Sequence, residues 1–153
     1  MSATSTTQPA RPPITCHVLD TTTGRPAANL SVKLSCCDLQ SVFFEATTNL
    51  DGRIGAWKYK QGDDGMEGMY EEQNWAVTKM MKKIIEEEGQ VEKPGARPLG
   101  TSLWKMQFDT GAHYGVANTF FPVVEVSFLV KSEEHYHVPL LLGPYSFTTY
   151  RGS

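Results

Sequence analysis

The sequence has few cysteines, no long apolar run and no excess of positive charge. Its three cysteines, Cys16, Cys36 and Cys37, lack the C-x-x-C spacing of zinc and redox motifs, and the adjacent pair could bond to itself only with strain. We therefore interpret them as reduced thiols. The 14 Lys and Arg against 17 Asp and Glu give a formal net charge of -3, which provides no basic field for nucleic acid. No apolar run of about 18 residues occurs, so the sequence predicts no membrane span and no membrane partner.

Targeting signals and several catalytic motifs are also missing. The first residues, MSATSTTQPARPP, contain no apolar stretch of a signal peptide, and the last three, Arg-Gly-Ser, differ from the peroxisomal signal Ser-Lys-Leu. We expect a cytoplasmic protein, with the peroxisome as the alternative. No G-x-S-x-G, Gly-rich phosphate loop or H-E-x-x-H motif occurs, which leaves a serine hydrolase, a nucleotide-binding protein or a zincin without support.

The composition and rhythm that remain are those of an all-β globular domain. Apolar residues make up 40% of the 153 residues, with 3 Trp, 6 Tyr and 7 Phe available to fill one core. Runs that alternate or are rich in β-branched residues recur at roughly 8 to 12-residue spacing, which is typical of a β-sandwich. They include ITCHVLD, LSVKLSCCD, SVFFEATT, SLWKMQFDT, VVEVSFLV, HYHVPLLL and SFTTYRG. We predict about seven or eight strands in two sheets, with Pro139 on an edge strand or at a locally unpaired position.

Two segments depart from this rhythm. Residues 1–13 are rich in Ser, Thr and Pro and have little to bury, so we predict that they are disordered and that the folded domain covers 14–153. Residues from about 61 to about 100 are predicted to be an insertion that contains an amphipathic helix, which ends near Gly89. Its apolar face has i, i+3, i+4, i+7, i+8 spacing and consists of Val77, Met80, Met81, Ile84 and Ile85. We interpret this face as a core contact rather than a groove for a partner.

The four histidines are the main candidates for chemistry. They are His17, His113, His135 and His137. An extended strand would put His135 and His137 on one face, where they could share a zinc ion with His17 as a third ligand. Without a metal, a neutral histidine could instead accept a proton from water and return it to a leaving nitrogen, an effect typically worth about 10² to 10⁴-fold in rate. The residues alone leave both possibilities open.

A metal-free hydrolase also needs a positive charge near the oxygen that becomes negative. Two guanidinium groups are candidates, because they stay charged and present a planar set of donors. Arg53 directly follows the turn signal Asp51-Gly52, and Arg151 lies among the last residues.

Several of these segments occur together in one family. Over residues 14–60 and 101–153, the sequence resembles 5-hydroxyisourate hydrolase, the enzyme branch of the transthyretin-like proteins. The matching segments are ITCHVLDTTTGRPAANLSVKL, TTNLDGRI, FDTGAHY, FFPVVEVSF and HYHVPLLLGPYSFTTYRGS, and the final Tyr-Arg-Gly-Ser is specific to the enzyme branch. The resemblance implies an eight-stranded β-sandwich of two four-stranded sheets, with a short helix after FDTGAHY. It also implies a homotetramer, a dimer of dimers, with its sites in a channel between the dimers.

The resemblance further implies an activity and a set of residues. The reaction would be hydrolysis of 5-hydroxyisourate, the product of urate oxidation, to 2-oxo-4-hydroxy-4-carboxy-5-ureidoimidazoline, without a metal or other cofactor. The implied catalytic residues, which also bind the substrate, are His17, Arg53 and His137. The implied wall of the same pocket is formed by Tyr150 and Ser153.

Two histidines have no role in this assignment, and a carrier is the alternative function within the family. We expect His135 to support its strand and His113 to belong to a helix or loop. The transthyretin branch, a hormone carrier with the same sandwich, lacks the catalytic residues and the terminal motif, so the resemblance disfavours a carrier. The length of the inserted segment departs from the family, and the insert could cover the channel, pack outside it or contact another subunit.

Overall fold

The computed structural model describes residues 11–39, 41–61, 66–69, 74–93 and 97–153. In this part of the chain the first six strands are β1 (Ile14–Asp20), β2 (Arg25–Pro26), β3 (Ser31–Cys36), β4 (Val42–Thr47), β5 (Arg53–Ile54) and β6 (Lys58–Gln61). The remaining strands are β7 (Met66–Met69), β8 (Thr101–Phe108), β9 (Val124–Lys131), β10 (Tyr136–Leu142) and β11 (Phe147–Thr149). Helix α1 (Asn74–Gln90) precedes β8, and helix α2 (Thr110–Tyr114) and a 3-10 turn (Val116–Asn118) precede β9.

Parts of two segments with specific predictions lie outside the described residues. These parts are 1–10 of the segment predicted to be disordered and 62–65, 70–73 and 94–96 of the predicted insertion. Immediately after the first of them, Pro12 and Pro13 are buried, and the amide of Tyr136 donates to the carbonyl of Pro13 over 2.7 Å. The chain is therefore attached to the start of β10 just before β1 begins.

The strands form two sheets. The first sheet has the order β11-β10-β1-β2, with β5 also paired to β1, and the second has the order β7-β6-β4-β3-β8-β9. The predicted β-sandwich is confirmed. The described strands make sheets of five and six rather than four and four, because the two-residue strands β2 and β5 and the hairpin β6–β7 are counted with the longer runs.

Alternation along β1 and β10 separates a core face from an outer face of the first sheet. The core-facing side chains of these strands are Ile14, Cys16, Val18, Val138, Leu140 and Leu142, and all are buried. Full burial of an aliphatic side chain stabilises the fold by about 1.5 to 3 kcal/mol. The burial of this face therefore determines which side of each strand is turned to the core. Because side chains alternate, His17 and His137 are turned to the outer face, where they are half-buried.

Helix α1 completes the same core rather than lying apart from it. Its buried apolar side chains are Val77, Met81, Ile84 and Ile85, and Met80 packs partly buried against them. The predicted helical face is therefore confirmed as a core contact. The helix ends at Gln90, one residue beyond the predicted stop. No helix in the described ranges is long and apolar enough to cross a membrane.

The chain that follows α1 is held to the turn after β3 by charges. The ammonium of Lys93 lies 2.5 Å from Asp38 and 3.3 Å from Glu88, and Arg97 also contacts Asp38. Burial opposes ionisation of Asp38, but the hydrogen bonds from Lys93 and Arg97 outweigh it and lower the pKa of this carboxyl. The segment predicted to be an insertion is thus joined to the sandwich at the helix and again at this cluster.

Pro139 lies inside the first sheet, not at its edge. Strand β10 pairs in parallel with β1 along its whole length, whereas its antiparallel pairing with β11 begins only at Leu140. Pro139 therefore occupies a locally unpaired position on the β11 side, which is the second of the two predicted possibilities.

Candidate active site

Two of the predicted site residues are direct partners across neighbouring strands. In the antiparallel pairing of β1 with β5, His17 is opposite Arg53. Opposite residues in such a pair project to the same face of the sheet, with Cβ atoms about 4.5 to 5.5 Å apart. The guanidinium of Arg53 is on the exposed outer face, beside the half-buried imidazole of His17.

A tight turn before β5 sets the position of Arg53. The side-chain oxygen of Asn49 accepts hydrogen bonds from the amides of Asp51 (2.9 Å) and Arg53 (3.0 Å). Gly52 has a φ of 73°, and a Cβ there would lie 2.4 Å from the carbonyl oxygen of Val18. Only glycine combines this backbone conformation with so close an approach. The Asp-Gly-Arg signal in the sequence is therefore a turn pressed against β1 next to His17.

Strand β10 brings His137 to the same face. In its parallel pairing with β1, Thr15 is opposite His137 and His17 is opposite Pro139. His17 and His137 are thus two positions apart on adjacent strands, or about 8 Å between Cα atoms from ordinary sheet spacings. The hydroxyl of Thr15 lies 2.8 Å from Nδ1 of His137, which holds the ring in place.

The end of the chain packs directly on His137. The amide of Gly152 donates to the carbonyl of His137 over 2.8 Å. A Cβ on Gly152 would lie 2.8 Å from Cδ2 of His137 and 3.0 Å from Cγ of Pro139. The sequence marked the terminal motif as part of the site but did not show that its glycine is the residue in contact with the histidine.

The two residues predicted to line the pocket flank this contact. Tyr150 is 57% exposed and, together with His137 and Thr149, borders a groove of about 470 Å³. Ser153 directly follows Gly152 and is exposed. The prediction that both contact the substrate remains a prediction.

The structure separates the two candidate cations. The guanidinium of Arg151 lies over the ring of Tyr136, 4.4 Å from its centroid, and 3.5 Å from the carboxylate of Glu134. It is therefore engaged beside the site, whereas Arg53 is directly opposite His17.

The remaining two histidines have partners of their own. Nδ1 of His135 lies 3.1 Å from the carbonyl oxygen of Pro12, and its Nε2 lies 3.2 Å from the hydroxyl of Thr15. His113 lies on α2, as expected for a helix or loop residue, with its Nε2 2.9 Å from Asp20.

The arrangement of His135 bears on the zinc alternative. Because both of its ring nitrogens are hydrogen-bonded to protein groups, neither is directed at an ion shared with His17 and His137. Among the residues that the structure describes, no group of three His, Cys, Asp or Glu side chains is arranged to hold a metal ion. The donor set here does not match a zinc site of three protein ligands.

The surroundings of His135 and His137 favour the neutral form of these two imidazoles. Burial lowers the pKa of His137, and the nearby Arg53, His17 and His135 lower it further. Burial and the charge of Arg11 likewise lower the pKa of His135 below its ordinary value. At neutral pH a histidine of this kind can accept a proton, which is the requirement for a general base.

Comparison with known proteins identifies the family. A family model described as the HIUase/Transthyretin family matches residues 14–73 and 65–152. This chain belongs to that family. The two matched pieces overlap at 65–73, inside the predicted insertion, and together they include every predicted site residue except Ser153.

Individual relatives agree with this result. The chain is 32% identical over 159 residues to a probable 5-hydroxyisourate hydrolase of Schizosaccharomyces pombe, with 99% of each protein covered. It is 33% identical to the 5-hydroxyisourate hydrolase of Mus musculus, covering 92% of this chain and 95% of the mouse protein. The structure of Klebsiella pneumoniae 5-hydroxyisourate hydrolase has the same fold, with a TM-score of 0.56, 24% identity and coverage of 92% of this chain and 98% of that chain. The resemblance to the enzyme branch and the transthyretin-like sandwich are both confirmed.

Proposed function

We propose that this protein hydrolyses 5-hydroxyisourate to 2-oxo-4-hydroxy-4-carboxy-5-ureidoimidazoline, a step in urate degradation. The observation that carries the proposal is the strand register, which sets His17 opposite Arg53 and puts His137 on the same face of the adjacent strand. Two potential proton carriers beside a cation are the groups that hydrolysis of a cyclic amide requires. The names of the relatives supply the substrate.

In the proposed reaction the two histidines divide the proton transfers. One of His17 and His137 removes a proton from water, and the resulting oxygen nucleophile bonds to the ring carbonyl carbon beside the scissile C–N bond. That C–N bond then breaks, and the other histidine, which takes part in its protonated form, gives a proton to the leaving nitrogen. Each transfer contributes typically about 10² to 10⁴-fold to the rate when the group is well placed.

The other proposed residues bind and enclose the substrate. Arg53 holds the planar, anion-prone ring and stabilises the negative charge that develops on the attacked carbonyl oxygen. Tyr150 and Ser153 shape the pocket and keep water other than the nucleophile out of it. Support for their part comes from the contact of Gly152 with His137, which brings the terminal residues to the site.

The proposed mechanism uses no metal and no other cofactor. The support is that the rings of His135 and His137 bind the hydroxyl of Thr15 instead of pointing together at one ion. We expect turnover to be unchanged after dialysis against a chelator. Activity that disappears with the chelator and returns with zinc would contradict this mechanism and restore the zinc alternative.

We also propose that the working protein is a homotetramer, a dimer of dimers. The support is the position of the site on the outer face of the first sheet, where Arg53 is exposed and both catalytic histidines are half-buried. A second copy against this face would supply the missing wall and exclude water. A cytoplasmic location, with no nucleic-acid or membrane partner, remains the prediction from the sequence.

The test of the activity generates the substrate in place. Urate oxidase converts urate to 5-hydroxyisourate, and the decay of its ultraviolet absorbance is followed with and without this protein. We expect decay much faster than the spontaneous reaction, in proportion to the amount of protein added. Decay at the spontaneous rate, with folded protein, would overturn the proposal.

A further inference from the structure

We propose that Thr15 and His135 are positioning residues that fix the tautomer of His137, so that Nε2 of His137 is the base that deprotonates the attacking water. This inference rests on the proposed function and assigns a role that the site residues alone leave open. It is carried by a continuous chain of hydrogen bonds from the backbone before β1 to the ring of His137.

Three hydrogen bonds connect Pro12 to His137. The first joins the carbonyl oxygen of Pro12 to Nδ1 of His135 over 3.1 Å, and the second joins Nε2 of His135 to the hydroxyl of Thr15 over 3.2 Å. The third joins the same hydroxyl to Nδ1 of His137 over 2.8 Å. Thr15 is only 8% exposed, and Pro12 is buried, so solvent has little access to the middle of the chain.

The direction of each link follows from which groups can donate. A carbonyl oxygen only accepts, so Nδ1 of His135 carries a proton. In a neutral ring Nε2 then has the free lone pair, and the hydroxyl of Thr15 gives its single proton to it. The oxygen of Thr15 therefore accepts from Nδ1–H of His137, which leaves Nε2 of His137 unprotonated and able to act as a base.

Protonation of His135 would reverse the donor and acceptor roles in this series of hydrogen bonds. A doubly protonated His135 would donate to Thr15, whose hydroxyl would then donate to Nδ1 of His137 and force the proton onto Nε2. Burial and the charge of Arg11 oppose that state, because they lower the pKa of His135. The charged and titratable groups that face His137 are Arg53, His17, His135 and Arg11, and all of them lower its pKa further.

The assignment also separates the roles of the two catalytic histidines. The water proton goes to Nε2 of His137 while the water oxygen bonds to the carbonyl carbon. When the C–N bond breaks, the leaving nitrogen takes a proton from His17, which must enter the reaction in its protonated form. His137 then gives the water proton to solvent and His17 takes a proton from solvent, so both rings return to their first state. Since Cδ2 lies against Gly152, the adjacent Nε2 is on the side of the ring that faces the terminal residues.

The test compares variants that remove one link each. Thr15→Val keeps the shape of the side chain but removes the hydroxyl, and Thr15→Ser restores it. His135→Phe removes the acceptor, which frees the hydroxyl of Thr15 to donate to His137. Thr110→Val is the matched control, because Thr110 is fully buried and its hydroxyl donates to the carbonyl of Phe121 in a different part of the fold.

The first measurement is the tautomer itself. A two-bond ¹H–¹⁵N correlation spectrum of full-length protein labelled at histidine distinguishes a protonated Nδ1 from a protonated Nε2, and the signal of His137 is assigned by its loss in His137→Ala. We expect protonated Nδ1 in the wild type, Thr15→Ser and Thr110→Val, and protonated Nε2 or a mixture in Thr15→Val and His135→Phe. Protonated Nε2 in the wild type at neutral pH would overturn the inference.

The second measurement is turnover of 5-hydroxyisourate. We expect Thr15→Val and His135→Phe to lower kcat by about 10-fold to 100-fold with little change in KM, and Thr15→Ser to retain most of it. Unchanged kcat in folded Thr15→Val would also overturn the inference. If instead the wild type does not accelerate decay at all, the proposed function fails, while the spectrum, which needs no substrate, still decides the tautomer.

Discussion

Strand β1 contacts one histidine near its beginning and another at its end, and the two contacts differ in chemistry. Near the beginning, the hydroxyl of Thr15 lies 2.8 Å from Nδ1 of His137. At the end, the carboxylate of Asp20 lies 2.9 Å from Nε2 of His113. The two imidazole rings are thus held through different nitrogens, His137 through Nδ1 by a hydroxyl and His113 through Nε2 by a carboxylate.

The difference teaches how the partner decides what a histidine can do. A carboxylate only accepts, so it fixes the proton of His113 on Nε2 and makes that contact a structural one. A hydroxyl can donate or accept, so the direction at His137 is set by the next group, His135. The ring on the outer face of the sheet can therefore keep its Nε2 unprotonated, whereas Nε2 of the ring next to Asp20 carries a proton.

The largest expected effects come from removing the site residues themselves. We expect His17→Ala, Arg53→Ala and His137→Ala each to lower turnover by about 10² to 10⁴-fold, because each removes a proton carrier or the charge at the attacked carbonyl. His135→Ala is expected to cost less, since His135 acts through His137. Turnover is measured with substrate generated by urate oxidase.

His113→Ala is the matched control for this series. It removes a half-buried histidine of α2 that contacts the other end of β1, and we expect turnover close to that of the wild type. Circular dichroism and size-exclusion chromatography establish that each variant is folded and has the wild-type size. Equal losses in all five variants, with the fold intact, would contradict the site and the contrast between the two ends of β1.

The features that depend on local residue patterns could be predicted from the sequence. Alternation in ITCHVLD put Thr15 and His17 on one face, and helical spacing identified the face of α1 that is buried. The residues alone offered Arg53 and His137 among several candidates, and the resemblance to the family selected them. A short strand such as β5 carries too few residues to show a pattern, so its pairing with β1 could not be predicted from periodicity.

The hydrogen bonds across the site could not be predicted from the sequence, for a different reason. Thr15 and His137 are separated by more than a hundred residues, and they meet only because β1 and β10 pair in parallel in one particular register. A shift of one residue would turn His137 into the core. The contact of Gly152 with the ring likewise depends on how the last residues return across β10.

A smaller effect on turnover is expected from Gly152→Ala. The added methyl would lie 2.8 Å from Cδ2 of His137, and the ring cannot move away without breaking its 2.8 Å bond to Thr15. We expect a loss of about 10-fold to 100-fold in turnover, because a shift of about 1 Å at a catalytic group is that costly. The thermal midpoint should change little, since only the last residues need to move.

Gly55→Ala is the control for Gly152→Ala. A Cβ at Gly55 would have no heavy atom within 4 Å, so this methyl should leave turnover nearly unchanged. Wild-type turnover in both variants would show that the terminal residues do not need to lie against His137.

The smallest effect on turnover, and a clear effect on stability, is expected from Asp20→Asn at the other end of β1. Burial raises the pKa of Asp20, but hydrogen bonds from Thr22 and His113 outweigh it, and the net result lowers the pKa from its ordinary value of 3.8 to about 2. A carboxyl of this kind stabilises the fold above its unfolded pKa by about 2 kcal/mol. We therefore expect Asp20→Asn to lower the free energy of unfolding at pH 7 by about this amount while turnover stays within about 2-fold.

The pH dependence gives this last prediction its sign. Because the folded pKa is depressed, the contribution of Asp20 is fully present above about pH 4 and is lost as the pH falls toward about 2. Urea unfolding at one protein concentration, measured from pH 6 downwards, should show the wild type and Asp20→Asn converging in that window. A difference that stays constant down to pH 2 would mean that the carboxyl is not stabilised in its charged form. The hydrogen bond between Asp20 and His113 would then be no stronger than the hydrogen bond between the uncharged Thr15 and His137. The two ends of β1 would differ only in which ring nitrogen carries the proton.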